Sequence, residues 1–222
     1  MSNFVETVLK YIYPPRCPFC GEIVPEQHPC VSCKEEWENG GENIEAVLQK
    51  LPVQHIDEYY ACTIYAGKVR AGLHRLKFEN AYTLLPFFAE QMISILPVYA
   101  TEEVILIPVP QSEKRESEAA VHIPLMLAEY IGGRTGLQVT KSALRKVKET
   151  KLQHSLTREE RLQNLTGAFE LQNEQQIQNK TVFLCDDIVT TGATLTECAK
   201  ILKIHGAKQV YGICFAATPF EE

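Results

Sequence analysis

The chain has 222 residues, 45% of them hydrophobic, and a formal charge of −6. That length suits one α/β domain plus a small module, and the negative balance excludes bulk attraction to nucleic acid. The charge is uneven: residues 21–60 hold nine acidic and two basic side chains, net −7, so the remainder is near +1. No basic region followed by a long apolar run opens the chain, and no stretch reaches the length of a membrane span, so neither signal peptide nor anchor is expected. Of the eight cysteines, four fall in paired C-x-x-C spacing, which fits a cytoplasmic, metal-holding chain better than a disulfide framework.

Residues 1–13 place Phe4, Val5, Val8, Leu9 and Ile12 on one face of a short amphipathic helix, ended by Pro14-Pro15. Cys17-Pro18-Phe19-Cys20 and Cys30-Val31-Ser32-Cys33 follow, with nine residues between the pairs. Four thiolates in two such knuckles close a tetrahedral shell around one Zn²⁺, a structural arrangement, and a segment this short needs metal for order. Two redox pairs are the other reading, and His28 is a possible competing ligand. Lys34 to Asp57 is acidic, with Trp37, Ile44, Val47, Leu48 and Leu51 at helical spacing, and reads as one helix leading away. A boundary is expected there: 1–57 as the helix, zinc ribbon and acidic segment, 58–222 as the main domain.

The main domain alternates strands and helices. Tyr59–Tyr65 reads as a strand, Leu84–Leu96 as a helix, and Val104-Ile105-Leu106-Ile107-Pro108-Val109-Pro110 as a buried strand ended by its prolines. Gln111–Arg115 reads as a polar loop, Pro124–Ile131 as a helix, and Val139–Leu144 as a strand edge. Residues 141–161 carry net +4 with few apolar side chains and read as a mobile basic loop, either a lid or a solvated charged face. Thr166-Gly167-Ala168-Phe169 starts a strand, and Gln209–Ala217 is a last one. The alternation predicts a parallel sheet wound on both faces.

Thr181-Val182-Phe183-Leu184-Cys185-Asp186-Asp187-Ile188-Val189-Thr190-Thr191-Gly192-Ala193-Thr194-Leu195 organises the rest. An apolar strand runs into two carboxylates, a Thr/Gly loop, and a helix whose Leu195, Cys198, Ala199, Ile201 and Leu202 recur until Gly206. Unpaired amides of the first helical turn, close approach at Gly192 and hydroxyls of Thr190, Thr191 and Thr194 suit one phosphate monoester. Like charge bars the carboxylates from that phosphate; they suit sugar hydroxyls or a hydrated Mg²⁺. A ribose 5-phosphate satisfies both ends. The plainer alternative is a ligand-free loop with a capping Asp.

This stretch resembles the signature of type I phosphoribosyltransferases that bind 5-phosphoribosyl 1-pyrophosphate (PRPP). The resemblance implies that Asp186 and Asp187 hold the ribose hydroxyls as the catalytic pair, while Thr190, Thr191, Gly192, Ala193 and Thr194 wrap the 5-phosphate. Over nearly the whole chain, the four-cysteine ribbon, His74-x-Leu76-Lys77-Phe78, Ile107-Pro108-Val109-Pro110, the basic loop and this motif together resemble the ComF family of competence-associated phosphoribosyltransferase-like proteins. Gln153, Leu156, Arg161, Asn164 and Gly167-Ala168-Phe169 match its Q-x-x-L…R-x-x-N-x-x-G-A-F pattern, which implies that residues 145–169 form a hood over PRPP. Lys77, Lys114, Arg115, Gln153 and Arg161 are then the pyrophosphate and hood residues. Where the family has an Arg-rich run ending R-G-F-N-Q, this chain keeps Lys114 and Arg115 but has Glu118, Ala119 and Ala120, which weakens an anion site. The implied activity is Mg²⁺-dependent phosphoribosyl transfer linked to DNA uptake. The alternative is a non-catalytic PRPP-binding factor that touches single-stranded DNA and competence-machinery proteins.

Overall fold

The apolar runs become the middle of one parallel sheet. The computed structural model describes residues 14–26, 28–51, 53–97, 103–111, 121–148 and 165–219. In chain order the elements are α1 (Val31–Glu42), α2 (Ile44–Leu48), β1 (Glu58–Ile64), α3 (Gly67–Phe78), α4 (Leu85–Ser94), β2 (Val104–Pro108), α5 (Ile123–Thr135), β3 (Gln138–Val139), β4 (Leu144–Lys146), β5 (Phe169–Leu171), β6 (Thr181–Cys185), β7 (Ile188–Val189), α6 (Ala193–Ile204) and β8 (Gln209–Ala217). The main sheet runs β1-β8-β6-β2-β3, all parallel, with β7 beside β8. This is the expected α/β architecture.

Strand alternation sorts β6 between two cores. Phe183 and Cys185 face one apolar cluster with α3, α4 and α5; Val182 and Leu184 face another with α6. Each fully buried Leu or Phe contributes about 2 kcal/mol by leaving water. The first cluster also takes in Cys17, Phe19 and Cys33, so the cysteine segment and α4 share a core. Phe19 packs on Trp37, Phe87 and Phe88, and Trp37 stacks on Phe215 of β8 at 5.1 Å.

Three expectations are corrected. The single helix across Lys34–Asp57 is two: α1 packs through Trp37 on one face of the sheet, and α2 packs through Ile44, Val47 and Leu48 on the other. The chain crosses the β1 edge between them, and Gly40 and Gly41 permit it, since side chains there would meet Thr63 and the Cys62 carbonyl. Covering that edge also shields its unpaired backbone. Val139–Leu144 is not one strand edge; β3 ends the main sheet and β4 begins elsewhere. The strand after Thr166 does not join the main sheet but pairs antiparallel with β4, Arg145 opposite Glu170. This two-stranded base brackets the basic segment, so residues expected in a loop already form a ladder at 144–146. The 1–13 helix, most of the polar loop at 111–115, Lys114, Arg115, Gln153 and Arg161 lie outside the described residues.

Candidate functional site

The acidic pair sits where β6 leaves the sheet. The Asp186 N–H donates to the Ile213 carbonyl at 3.0 Å, and the Asp187 carbonyl accepts from Phe215 N at 3.1 Å, so β8 clamps both residues. The two carboxylates then part ways. Asp187 is buried, at 4% exposure, whereas Asp186 is half-buried. Asp187 Oδ1 accepts from Ile188 N at 2.8 Å, and Oδ2 takes the Lys77 ammonium at 2.6 Å. Asp186 Oδ1 accepts from Asp187 N at 2.9 Å, and the two carboxyl groups lie beside each other. Burial, and then the neighbouring Asp187 carboxylate, hold the Asp186 carboxyl well above its usual range. Around Lys77 burial opposes charge, but the Asp187 and Asp186 carboxylates outweigh it and keep the ammonium above its usual range. Of the pair, Asp186 is the more exposed and so the more accessible to a hydroxyl donor or a hydrated cation.

Beyond β7 the chain turns into α6 through Thr190, Thr191 and Gly192. Gly192 caps the helix in the left-handed conformation, φ 72°, and its carbonyl accepts from Thr196 N at 2.8 Å. A side chain there would also collide with Val53. The N–H groups of Thr190, Thr191, Gly192 and Thr194 meet no acceptor among the described residues. Thr190 is exposed and Thr191 and Thr194 half-buried, so the loop presents donors to solvent at the positive end of a helix, a cradle for an anion. Thr196 does something else: its hydroxyl accepts from Gln54 N at 3.1 Å. The strap between α2 and β1 therefore braces the back of this loop.

The second cluster is Cys17, Cys20, Cys30 and Cys33, whose sulfur atoms all lie within 4.8 Å of one another. Four thiolates at about 2.3 Å from one tetrahedral Zn²⁺ stand about 3.8 Å apart, so the set fits that ion. Burial tends to raise Cys17, but N–H groups of Cys20, Cys30 and Phe19 outweigh it and bring the thiol down to about 7; burial pushes Cys33 up. His28 instead pairs with Glu26.

Helix α3 joins the two clusters. At its start, Glu36 of α1 accepts from Lys68 N at 2.6 Å, satisfying a first-turn amide. Midway, Gly72 lies against Pro18 and Phe19, and Arg75 Nη1 donates to the Cys17 carbonyl at 3.2 Å. At its end stands Lys77, on Asp187. His74 faces outward, pairing with Glu79 and packing on exposed Phe78.

Thus Lys77, Asp186 and Asp187 come together, Thr190–Thr194 form the adjoining loop, and the four cysteines assemble apart from both. Sequence reading missed Val53, Gln54, Thr196 and Glu36. No motif marks them; only the small residue required at Gly192 hints that something approaches it.

A parallel sheet with an acidic pair and a loop of unpaired amides at the carboxyl end of a central strand defines a class, and the family comparison agrees. The phosphoribosyl transferase domain model matches residues 88–221, more than half of the chain, and the chain belongs to that family. It is 25% identical over 207 residues to the DNA utilization protein YhgH of Salmonella typhimurium, covering 91% of this chain and 84% of the relative. The YhgH protein of Shigella flexneri is 26% identical over 208 residues, with the same coverage. Competence protein F of Haemophilus influenzae is 32% identical over 94 residues, 41% of each chain. Within the class, the chain is a ComF-family, type I phosphoribosyltransferase-like protein. Among the described residues, no helix is long and apolar enough to cross a membrane.

Proposed function

We propose that this protein binds PRPP, or a closely related phosphoribosyl ligand, at the tip of β6 and transfers its ribosyl 5-phosphate to an acceptor. The observation that carries this reading is the pairing of the unpaired amides of Thr190, Thr191, Gly192 and Thr194 with an acidic pair at the head of the same loop. The 5-phosphate lies on the cradle and ribose hydroxyls donate to the acidic pair. Cleavage of the bond from the anomeric carbon to pyrophosphate puts positive charge on the sugar, which a neighbouring carboxylate stabilises; the bonding electrons leave with pyrophosphate, toward Lys77. The acceptor's lone pair completes the new bond and its proton is released. Asp186, the more exposed of the pair, would be the side chain open to a hydrated Mg²⁺, which would supply charge stabilisation to the leaving pyrophosphate.

Cys17, Cys20, Cys30 and Cys33 hold one structural Zn²⁺, and 1–57 serves as a bracing module for 58–222. The names of the relatives support a role in handling DNA taken up by the cell. They also favour a second reading, with PRPP as a signal and the basic segment touching single strands; the altered run after Pro110 points the same way.

Turnover separates the two. Catalysis predicts pyrophosphate release from PRPP that Asp186→Asn abolishes. The signal reading predicts thermal stabilisation by PRPP without release, plus salt-sensitive strand binding lost on charge reversal of Lys146, Lys148 and Lys151. No stabilisation by PRPP would refute both.

A further inference from the structure

The two carboxylates are adjacent in sequence but not equivalent in space. Asp187 is nearly excluded from solvent, and each of its oxygens already has a strong donor: Ile188 N at 2.8 Å and the Lys77 ammonium at 2.6 Å. A hydroxyl reaching Asp187 would have to enter a spot only 4% exposed and compete with a buried ion pair. Asp186 is more open: it is half-buried, and its backbone donor is Asp187 N, on Oδ1. Lys77 is the third member. An ammonium has three N–H donors; one is spent on Asp187, and the side chain is 30% exposed, so the others remain for a ligand anion. Its stem comes from α3, so nothing in the β6 loop holds it except Asp187.

Resting on the phosphoribosyl reading, we propose that the pair divides its work: Asp186 receives the sugar hydroxyls, whereas Asp187 is a positioning residue that aims the Lys77 ammonium at the ligand's pyrophosphate. The acidic pair is then one acceptor plus one ion pair. The chain supplies its own cation beside the ribose, and a divalent ion is not needed to hold the sugar phosphate.

The test uses calorimetric titration of the full chain with two probes, ribose 5-phosphate and inorganic pyrophosphate, in chelator to remove free divalent ions while zinc loading is verified. Asp186→Asn is expected to weaken ribose 5-phosphate about tenfold or more, the effect of losing a hydrogen bond to a charged group. Lys77→Met and Asp187→Asn are expected to place their losses on pyrophosphate, by similar factors. The double variant should lose no more than Lys77→Met alone, because Asp187 acts through Lys77. A purely structural role would weaken both probes alike and would not produce this split. The double variant buries neither charge alone, so it carries the test if a single variant folds poorly. If Asp187→Asn weakens ribose 5-phosphate as much as Asp186→Asn does, or if the wild type holds ribose 5-phosphate only with Mg²⁺, the division of work is overturned and the phosphoribosyl reading stands. If the wild type binds neither probe with or without Mg²⁺, both fall.

Discussion

The cysteine cluster and the β6 tip are built in opposite ways. The cluster draws its four thiols from residues 17–33, so its spacing is local and its partners are neighbours in sequence. The tip draws Lys77 to Asp187, and Val53 and Gln54 to the loop and helix that follow, across more than a hundred residues. Local sites are closed by covalent geometry; distant ones need a scaffold to hold each piece. Here α3 is that scaffold, leaning on Phe19 and Cys17 at its middle and delivering Lys77 at its end. The cluster, though separate from the site, thus packs against the helix that carries Lys77.

The sharpest way to break this comparison is to disrupt the cysteine cluster. A structural zinc site contributes on the order of 10 kcal/mol of binding free energy. Cys17→Ser or strong chelation should lower the unfolding midpoint by roughly 10 °C or more, read by calorimetry, and should weaken PRPP as well. A zinc-free chain with the same midpoint and unchanged PRPP affinity would make the two regions independent. Next in size is Lys77→Met, which strands Asp187 and should cost about 3 kcal/mol in denaturant unfolding, with most of it regained in Lys77→Met/Asp187→Asn. Unchanged stability in the single variant would deny the buried pair.

Smaller is Gly192→Ala, which forces φ 72° on a side chain that also meets Val53. It should cost about 2 kcal/mol, and Val53→Ala should return part of that by opening the contact without relieving the backbone. Failure of Val53→Ala to help would mean the strap does not brace the loop. The mildest effect is on pH dependence. Asp186 has a raised carboxyl in the folded state, so its contribution to stability is full below the unfolded value of about 3.9 and is lost as pH rises through the folded value. Asp186→Asn should therefore be more stable than wild type at neutral pH, with the difference shrinking toward pH 4. An equal gap at both would remove the titration from the explanation.

Much of this was legible in the residues. The strand at 181–185, the helix ended by Gly206 and the last strand at 209–217 were readable because apolar runs and helical spacing are local signals. The cysteine cluster was readable for the same reason. What escaped was long-range. The break of the acidic helix at Asn43 depends on the β1 edge, which α1 and α2 straddle; helical periodicity in 34–57 continues across it because each half buries a face against a different side of the sheet. The β4–β5 ladder was hidden because three-residue strands carry too little alternation to register. The unequal surroundings of Asp186 and Asp187 follow from where α3 ends, which adjacency in the chain does not reveal.

The most direct test reads the loop amides themselves. In a backbone-assigned NMR titration of the zinc-loaded protein with ribose 5-phosphate, the N–H signals of Thr190, Thr191, Gly192 and Thr194 should move together and saturate. Saturable binding that leaves those four signals in place would put the phosphate elsewhere and contradict the account.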